Sequence, residues 1–302
     1  MGFKSEKLTF KNAEGHLLDA RLELPNDQEV TSYAIFLHCF TCSKNIHAAT
    51  RISRALTKVG ISVLRFDFTG LGNSEGDFSN TNFSSTVSDI ICVYKQMLHL
   101  EKVPEILIGH SLGGSTALAA ACSMPTLKAV ITINAPSEIQ HIQELFKNKL
   151  EAIERDGEAE VTLAGRSFII RKQFLNDIRS IKLENKISKF NSAFLIFHSP
   201  QDEIVSIDHA QAIFEAAKSP KSLITLEGAS HLLNKKEDSE YVSRIISAWG
   251  FRYLREEKHL KKEETSQLMS DEEKLDEAIL ESFPASDPLG FRSKSAIDKN
   301  MQ

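Results

Sequence analysis

The feature that most restricts the fold is a serine, Ser111, which glycines enclose between a strand-like and a helix-like segment. Residues 109–114 read GHSLGG; residues 105–108 before them are apolar enough for a buried strand, and residues 112–123 favour a helix. A strand can pass directly into a helix only through a sharp turn, where side chains beside the serine would clash, so glycine is needed. The pattern G-x-S-x-G in this setting predicts that the serine hydroxyl projects from the carboxyl end of a strand, next to a helix N-terminus.

Strand-length apolar segments alternate with helix-length segments along most of the chain. Near the N-terminus, residues 7–11 and 17–24 are expected to form a β-hairpin around a turn that contains Asn and Gly. The alternation predicts an α/β fold with a mostly parallel central sheet and helices on both faces. The other strands predicted in this way are 33–37, 61–66, 105–108, 129–133, 193–198 and 222–226, and the helices are 44–59, 84–100, 112–123, 207–217 and 239–254.

Two segments depart from the alternation. Residues 137–190 lack buried-strand character: a charged, helix-like stretch at 139–155 is followed by a small hairpin and a second helix. We expect this segment to form a cap insert at the carboxyl edge of the sheet within a domain of residues 1–255. Residues 256–302 hold 12 acidic and 7 basic side chains, and this composition predicts an acidic tail that is partly helical or disordered.

Composition excludes several classes of protein. The chain has 302 residues, of which 41% are hydrophobic and 25% are charged, values typical of a globular protein. Its apolar runs fall short of the roughly 18–20 residues of a membrane span, and the first residues lack the apolar region of a secretory signal. A cytoplasmic protein without a membrane span is therefore expected. The net charge of −5 lies in the tail, which argues against nucleic-acid binding by the rest of the chain.

Cysteine usage leaves one further hypothesis open. The chain has four cysteines, Cys39, Cys42, Cys92 and Cys122. Because a chain of this length does not need disulfides to fold, we expect reduced thiols. The spacing of Cys39 and Cys42 is that of C-x-x-C redox and metal sites, but a second such pair is missing, so no metal site is expected. A thiol redox protein that uses Cys39 and Cys42 is an alternative function.

A serine nucleophile needs a base, and the base needs an acid to orient it. In chains with this strand–turn–helix motif the acid and then the histidine follow the serine in sequence. His231 lies between the last predicted strand and the last helix, so it would share the carboxyl edge of the sheet with Ser111. Asp202 lies four residues after the preceding strand and would hold the tautomer of His231. His198 is an alternative base.

Other candidates compete for the acid and for the groups that stabilise an oxyanion. Glu203 and Asp208 are alternatives to Asp202 as the acid. An oxyanion hole needs two backbone N–H donors. The first would be Leu112, directly after the serine, and the second Phe40, in the loop after strand 33–37. The N–H group of Cys39 is the alternative to Phe40.

Three aromatic side chains of the insert are candidate substrate contacts. Phe146, Phe168 and Phe174 would line a pocket if the insert covers the site. The alternative is that each of them fills the small core of the insert itself.

Four segments of the chain carry a resemblance that spans roughly residues 1–254. HCFTCSKN (38–45), residues 65–85 and GHSLGG resemble the α/β-hydrolase superfamily, in particular its serine hydrolases with a cap insert. They are most similar to the hydrolase half of bacterial proteins that fuse an α/β-hydrolase to an OsmC-like peroxide-reducing domain, and residues 161–175 resemble the cap of that group. An OsmC-like domain would need roughly a hundred further residues, so the resemblance does not imply peroxidase activity.

The chain is also similar to bacterial cinnamoyl and feruloyl esterases. There the first loop reads His-Gly-Phe, and the Phe N–H contributes to the oxyanion hole, which implies the same role for Phe40. Cys39 stands in the place of the glycine.

These observations predict a carboxylesterase-like serine hydrolase that cleaves a small-molecule carboxylic ester or related acyl compound through an acyl-enzyme. This chemistry needs no metal and no organic cofactor. Besides the thiol redox protein, a non-catalytic scaffold with a hydrolase fold is an alternative. Acyl and alcohol specificity and the oligomeric state are left open by the sequence.

Overall fold

A computed structural model describes residues 3–163 and 165–254 of the chain. The predicted acidic tail lies outside these residues. In the described part, the ten strands are β1 (Phe3–Lys11), β2 (Leu17–Pro25), β3 (Ser32–Leu37), β4 (Ile61–Phe66), β5 (Pro104–His110), β6 (Ala129–Ile133), β7 (Glu158–Leu163), β8 (Arg166–Arg171), β9 (Ala193–His198) and β10 (Lys221–Thr225).

Eight of these strands form one mixed sheet, in the order β1-β2-β4-β3-β5-β6-β9-β10. β2 runs antiparallel to both β1 and β4, and the remaining neighbours pair in parallel. Strands β4, β6 and β9 are buried at every residue, as expected of parallel strands that are covered on both faces. The mostly parallel sheet predicted from the sequence is confirmed.

Helices cover both faces of this sheet. The helices are α1 (His47–Thr57), α2 (Phe83–His99), α3 (Leu112–Ala120), α4 (Leu150–Asp156), α5 (Lys172–Ser180), α6 (Glu184–Ile187), α7 (Asp208–Ala216) and α8 (Lys236–Leu254). Apolar side chains of α1 and α8 share one buried cluster, and those of α2, α3 and α7 belong to a second cluster. Within residues 3–163 and 165–254 no helix combines the length and hydropathy that crossing a membrane requires.

The segment between β6 and β9, called the insert from here on, leaves the sheet. It begins with a 3₁₀ helix, Ile139–Lys149, continues through α4, the antiparallel β7–β8 hairpin and α5, and ends with α6. The prediction of one helix over 139–155 was wrong. The backbone is kinked at Phe146 (φ −140°, ψ 30°), and the kink turns this ring into the interior, where it is 1% exposed. The kink therefore coincides with burial of a large aromatic side chain, which is favourable in free energy.

Candidate active site

Ser111 occupies the sharp turn that the sequence predicts. β5 ends one residue before it and α3 begins one residue after it, and its backbone angles are φ +55° and ψ −127°. A Cβ atom at Gly109 would lie 2.3 Å from the carbonyl oxygen of Gly113, and one at Gly113 would lie 2.4 Å from that of Leu37. Both positions therefore exclude any larger residue. The turn holds the serine in a left-handed conformation that non-glycine residues adopt only when their surroundings enforce it.

The structure brings Ser111, His231 and Asp202 together. The Nε2 atom of His231 lies 3.0 Å from the Oγ atom of Ser111, and its Nδ1 atom lies 2.7 Å from Oδ2 of Asp202. Asp202 follows β9, and His231 lies in the loop between β10 and α8. The three side chains therefore meet at the carboxyl edge of the parallel strands. This geometry lets a neutral imidazole accept the serine proton while the carboxylate orients the ring.

The environment of Asp202 keeps its carboxylate charged. Burial tends to raise the pKa of Asp202, but its hydrogen bond with His231 and those from the N–H groups of Val205 and Ile204 outweigh burial, so the pKa is lowered. The alternative acids occupy other positions. Glu203 lies on the wall of the adjacent cavity, and Asp208 accepts a hydrogen bond from a serine hydroxyl at the start of α7.

Two side chains that the sequence reasoning missed hold the backbone of His231. His110 Nε2 lies 2.7 Å, and Asn134 Nδ2 lies 3.0 Å, from the carbonyl oxygen of His231. Burial lowers the pKa of His110 to about 3, so the neutral ring donates its Nε2 proton to this carbonyl. His198, the alternative base, instead places Nε2 2.8 Å from the carbonyl oxygen of Val205. His198 therefore supports the acid loop.

Asn134 links the segments that carry the three predicted catalytic residues. It is completely buried, directly after β6, with φ +48°. Its Oδ1 accepts the N–H of Ser199 at 2.9 Å, and its own N–H donates to the carbonyl of Phe197. The residue before it accepts the N–H of Ser111 at 2.9 Å. A polar residue directly after a buried strand, at the carboxyl edge, is the sequence signal that could have identified it.

The predicted oxyanion donors lie beside the serine. Phe40 lines the same cavity as Ser111, and Leu112 is the first residue of α3. Within the described part of the chain, the N–H groups of Phe40 and Leu112 donate to no protein acceptor. Their role in an oxyanion hole stays a prediction, and so does the alternative donor, the N–H of Cys39.

Cys39 and Cys42 are joined by a disulfide, so the expectation of reduced thiols was wrong for this pair. The expectation rested on the use of disulfides to stabilise small secreted domains. Here the bond instead closes a four-residue turn in the wall of the site, where the N–H of Cys42 also donates to the carbonyl of Cys39 at 3.2 Å. Cys92 and Cys122 are free thiols, as expected.

A cavity of about 650 Å³ opens onto Ser111 and His231. Four large aliphatic side chains line it: Leu145 and Leu163 from the insert, and Ile204 and Leu232 from the loops that carry the acid and the histidine. Leu145, Ile204 and Leu232 are each more than 40% exposed. Besides His231, Glu203 is the only titratable side chain that lines the cavity among the described residues, apart from the disulfide-bonded cysteines. The same part of the chain contains no group of three His, Cys, Asp or Glu side chains placed to hold a metal ion.

The three phenylalanines predicted to line the site are buried and do not line this cavity. The rings of Phe40 and Phe174 lie 5.6 Å apart and those of Phe78 and Phe168 lie 5.0 Å apart, and Phe146 packs against Phe174. Phe174 instead lines a smaller pocket on the other side of Phe40. Phe40 and Phe78 lie outside the insert, so the three rings join the insert to the rest of the domain in one shared core and do not fill a separate core of the insert. A contact between these rings and a substrate stays a prediction.

The chain is similar to known hydrolases. Residues 35–156 match the family described as serine aminopeptidase, S33. The esterase domain from a Rhodothermus marinus protein, known from a crystal structure, is 42% identical in sequence to this chain. The two structures align with a TM-score of 0.68, and the match covers 84% of this chain and 100% of that domain. Human monoglyceride lipase is 24% identical over 271 residues, which span 79% of this chain and 88% of the lipase.

Est1E from Butyrivibrio proteoclasticus, solved with ferulic acid bound, is similar in fold. It is 23% identical, with a TM-score of 0.68, over 82% of this chain and 99% of Est1E. The fold class predicted from the sequence is confirmed, and Est1E shares that fold. A closer likeness to feruloyl esterases stays a prediction. The likeness to the hydrolase half of OsmC-like fusion proteins stays a prediction.

Proposed function

Because the chain belongs to the α/β-hydrolase superfamily of serine hydrolases, we propose that it is a carboxylesterase that works through an acyl-enzyme on Ser111. The observation that carries the proposal is the continuous hydrogen-bonded path from Ser111 Oγ through His231 to Asp202, with distances of 3.0 Å and 2.7 Å. The relatives described above act as esterases or lipases, which supports hydrolysis of an ester.

The reaction follows from this arrangement. His231 takes the proton of Ser111 as Oγ attacks the acyl carbon, and it then gives the proton to the departing alcohol. Asp202 holds the Nδ1 proton of His231 and stabilises the imidazolium that forms. The N–H groups of Phe40 and Leu112 would stabilise the negative charge on the former carbonyl oxygen. Water, activated by His231, then releases the acid and restores the serine.

The cavity favours a neutral ester with a sizeable apolar part. Its aliphatic walls would bury hydrocarbon from the acyl or the alcohol group, which is favourable by about 25 cal/mol per Å². No Lys or Arg from the described residues lines it to bind a carboxylate or a phosphate. The carboxylate of Glu203 would repel an anionic substrate. Esters with a free negative charge should therefore be poor substrates.

The proposal is tested by labelling with a fluorophosphonate probe together with hydrolysis of 4-nitrophenyl esters. The wild type should be labelled stoichiometrically, whereas Ser111→Ala should lose labelling and His231→Ala should lose most of it. Turnover should fall by about 10³-fold or more in each variant. Ser247→Ala, in which an α8 hydroxyl bonded to Ser243 is removed, is the matched control and should behave as the wild type. Labelling or turnover that survives in folded Ser111→Ala would rule out Ser111 as the nucleophile.

A further inference from the structure

The disulfide lies in the wall of the catalytic cavity and encloses the predicted oxyanion donor. Cys39 and Cys42 flank Phe40 and Thr41, and all four residues line the cavity that opens onto Ser111. The N–H of Phe40 therefore lies inside a loop of four residues closed by a covalent bond. Any change in the shape of this loop changes the direction in which that N–H points.

The loop holds a residue in an unfavourable backbone conformation. Thr41 has φ +56°, in the left-handed region that β-branched residues rarely adopt. Such a conformation persists only where surrounding contacts enforce it. Thr41 therefore tends to relax towards negative φ. This relaxation would rotate the Phe40–Thr41 peptide and, through Phe40, displace the preceding peptide, which carries the Phe40 N–H.

Besides the disulfide, several contacts oppose that relaxation. The buried His38 places Nδ1 2.8 Å from the carbonyl oxygen of Cys39, and the ring of Phe40 packs against two other phenylalanine rings. The N–H of Cys42 donates to the carbonyl of Cys39 at 3.2 Å. Arg166, from the β8 strand of the insert, donates to the carbonyl of Thr41 at 3.3 Å. The Oγ1 atom of Thr41 donates to the carbonyl of the residue before it at 2.7 Å. The bonds of 3.2 Å and 3.3 Å are long for N–H···O hydrogen bonds, and the disulfide is the covalent constraint that closes the loop on itself. Because the other contacts persist after reduction, the loop should loosen rather than unfold.

The disulfide can be reached through the cavity. Cys39 is 4% exposed, whereas Cys42 is partly exposed on the cavity wall. A small thiol that enters the cavity would therefore meet the sulfur of Cys42 first. The remaining two cysteines lie elsewhere: Cys92 is in α2, and Cys122 follows α3.

We propose that the Cys39–Cys42 disulfide is a thiol–disulfide exchange site for small dithiol reductants, and that the oxidised form is the catalytically competent one. The proposal rests on the proposed function through the role of the Phe40 N–H as an oxyanion donor. Reduction releases the loop, Thr41 relaxes, and the donor no longer points at the developing charge. Removal of one such donor lowers turnover by about 10²–10³-fold. Misdirection of the donor by a loosened loop should lower turnover by about tenfold.

The exchange is balanced by the reductant. A thiolate of the dithiol attacks the sulfur of Cys42, the bond between the two cysteine sulfurs breaks, and Cys39 departs as a thiolate that takes a proton. The second thiol of the reductant then attacks the mixed disulfide and releases Cys42. The dithiol loses two electrons and two protons and becomes a cyclic disulfide, and both cysteines end as thiols. A small-molecule disulfide in excess reverses the reaction.

The test compares the oxidised and reduced wild-type protein. After treatment with dithiothreitol and removal of the reagent under nitrogen, free thiols should rise by two per chain. The kcat for 4-nitrophenyl acetate should fall about tenfold with KM changed less than twofold, and oxidised glutathione should restore it. The Cys39→Ser/Cys42→Ser variant should have the low kcat and respond to neither reagent. Cys92→Ala/Cys122→Ala is the matched control and should respond as the wild type does.

Each outcome separates this inference from the proposed function. If two thiols appear and kcat stays within twofold, with near-ultraviolet circular dichroism confirming that the protein is folded, the exchange site has no catalytic role and the inference is overturned. The same holds if no thiols are released from the folded protein. Fluorophosphonate labelling of Ser111 in the oxidised protein is read in parallel. Absence of labelling and turnover in the oxidised form would overturn the proposed function, and the inference with it.

Discussion

At the scale of single residues, the predicted catalytic side chains are positioned by groups that do not reach the cavity. The carbonyl of His231 accepts hydrogen bonds from both His110 and Asn134. The second oxygen of Asp202 accepts two backbone N–H groups. Because the imidazole must face Ser111 on one side and Asp202 on the other, an error of a fraction of an ångström at its backbone would impair both contacts. The precision of the site therefore depends on buried polar groups around it.

Asn134→Ala should separate positioning from stability. The variant loses two buried hydrogen bonds, each worth about 1 kcal/mol, and leaves the carbonyl of His231 with His110 as its remaining side-chain donor. We expect kcat to fall about tenfold with KM within twofold, together with a loss of about 2 kcal/mol in the free energy of unfolding. Steady-state kinetics and urea unfolding measure the two effects.

Asn12→Ala is the control for this variant. The side chain of Asn12 accepts the N–H groups of Glu14 and His16 in partly buried hydrogen bonds and donates to the buried hydroxyl of Thr69, but it lies outside the site. It should lower the free energy of unfolding and leave kcat unchanged. A kcat for folded Asn134→Ala equal to that of Asn12→Ala would show that Asn134 is purely structural.

At the scale of elements, two parts of the fold form the cavity, and they contribute different groups to it. The loops after β5, β9 and β10 carry the predicted catalytic residues and are fixed by the sheet. The insert supplies Leu145 and Leu163 to the wall, and its phenylalanine rings pack against Phe40 and Phe78 of the rest of the domain. The insert and the loops together therefore supply exposed leucine and isoleucine side chains to the cavity wall. We expect these side chains to determine which substrate lengths are accepted and the loops to determine the rate of the chemical step.

Leu145→Ala tests whether this side chain contributes to the preference for substrate length. The side chain is 41% exposed in the absence of substrate, so a substrate chain of six to eight carbons would bury part of it. We expect kcat/KM for 4-nitrophenyl octanoate to fall about fivefold, or about 1 kcal/mol, and that for the acetate to stay unchanged. Leu100→Ala, at the exposed end of α2, is the matched control. Equal losses for both esters would contradict a contact between Leu145 and the chain.

The first turn of α2 allows a prediction about stability. The side chain of Asn82 accepts the N–H of Ser85 at 2.8 Å, and the hydroxyl of Ser85 accepts the N–H of Asn82 at 2.9 Å, which forms a capping box. Asn82→Ala should lower the free energy of unfolding by about 1 kcal/mol. Asn82→Asp retains an acceptor and should recover most of the loss. Urea unfolding of the three proteins measures this, and an Ala variant as stable as the wild type would contradict it.

At the scale of the whole molecule, the fold buries neutral histidines. Burial lowers the pKa of His38, His110 and His198. In the unfolded chain a histidine titrates near pH 6.5. Below that pH the histidines of the unfolded chain bind protons, whereas the buried histidines of the folded protein stay neutral. Their contribution to the free energy of unfolding is therefore full above about pH 6.5 and is lost as the pH falls. For His110 the loss continues down to its folded pKa of about 3.

The free energy of unfolding should therefore fall steeply on mild acidification. Each completely buried histidine contributes a slope of up to about 1.4 kcal/mol per pH unit. We expect a loss of at least about 2 kcal/mol between pH 6.5 and 5.5, measured by urea unfolding. His110→Gln retains a hydrogen-bond donor but cannot take up a proton. The slope should therefore fall by up to about 1.4 kcal/mol per pH unit. Asn82→Ala, which removes a helix cap bonded to a serine, should lower stability equally at each pH. A flat profile for the wild type would contradict the burial of neutral rings.

Local physics made part of this protein predictable from its sequence. The steric demands of the strand–turn–helix at Ser111 act between neighbouring residues, and the alternation of apolar and polar segments determines which strands are buried. Both can therefore be read along the chain. The positions of Asp202 and His231 followed from a simple rule, that the carboxyl ends of parallel strands share one edge of the sheet.

The rest was decided by tertiary packing. The carbonyl of His231 meets His110 and Asn134 across 121 and 97 residues of chain, and nothing in their local sequence identifies that acceptor. The kink at Phe146 depends on what the ring finds in the interior, and it places Leu145 rather than Phe146 on the cavity wall. The sequence by itself determined the order of strands and helices and the nucleophile turn, because those depend on sterics and periodicity over a few residues. Only the tertiary structure decided which distant groups align the histidine and line the cavity, because those contacts depend on how separate elements pack in space.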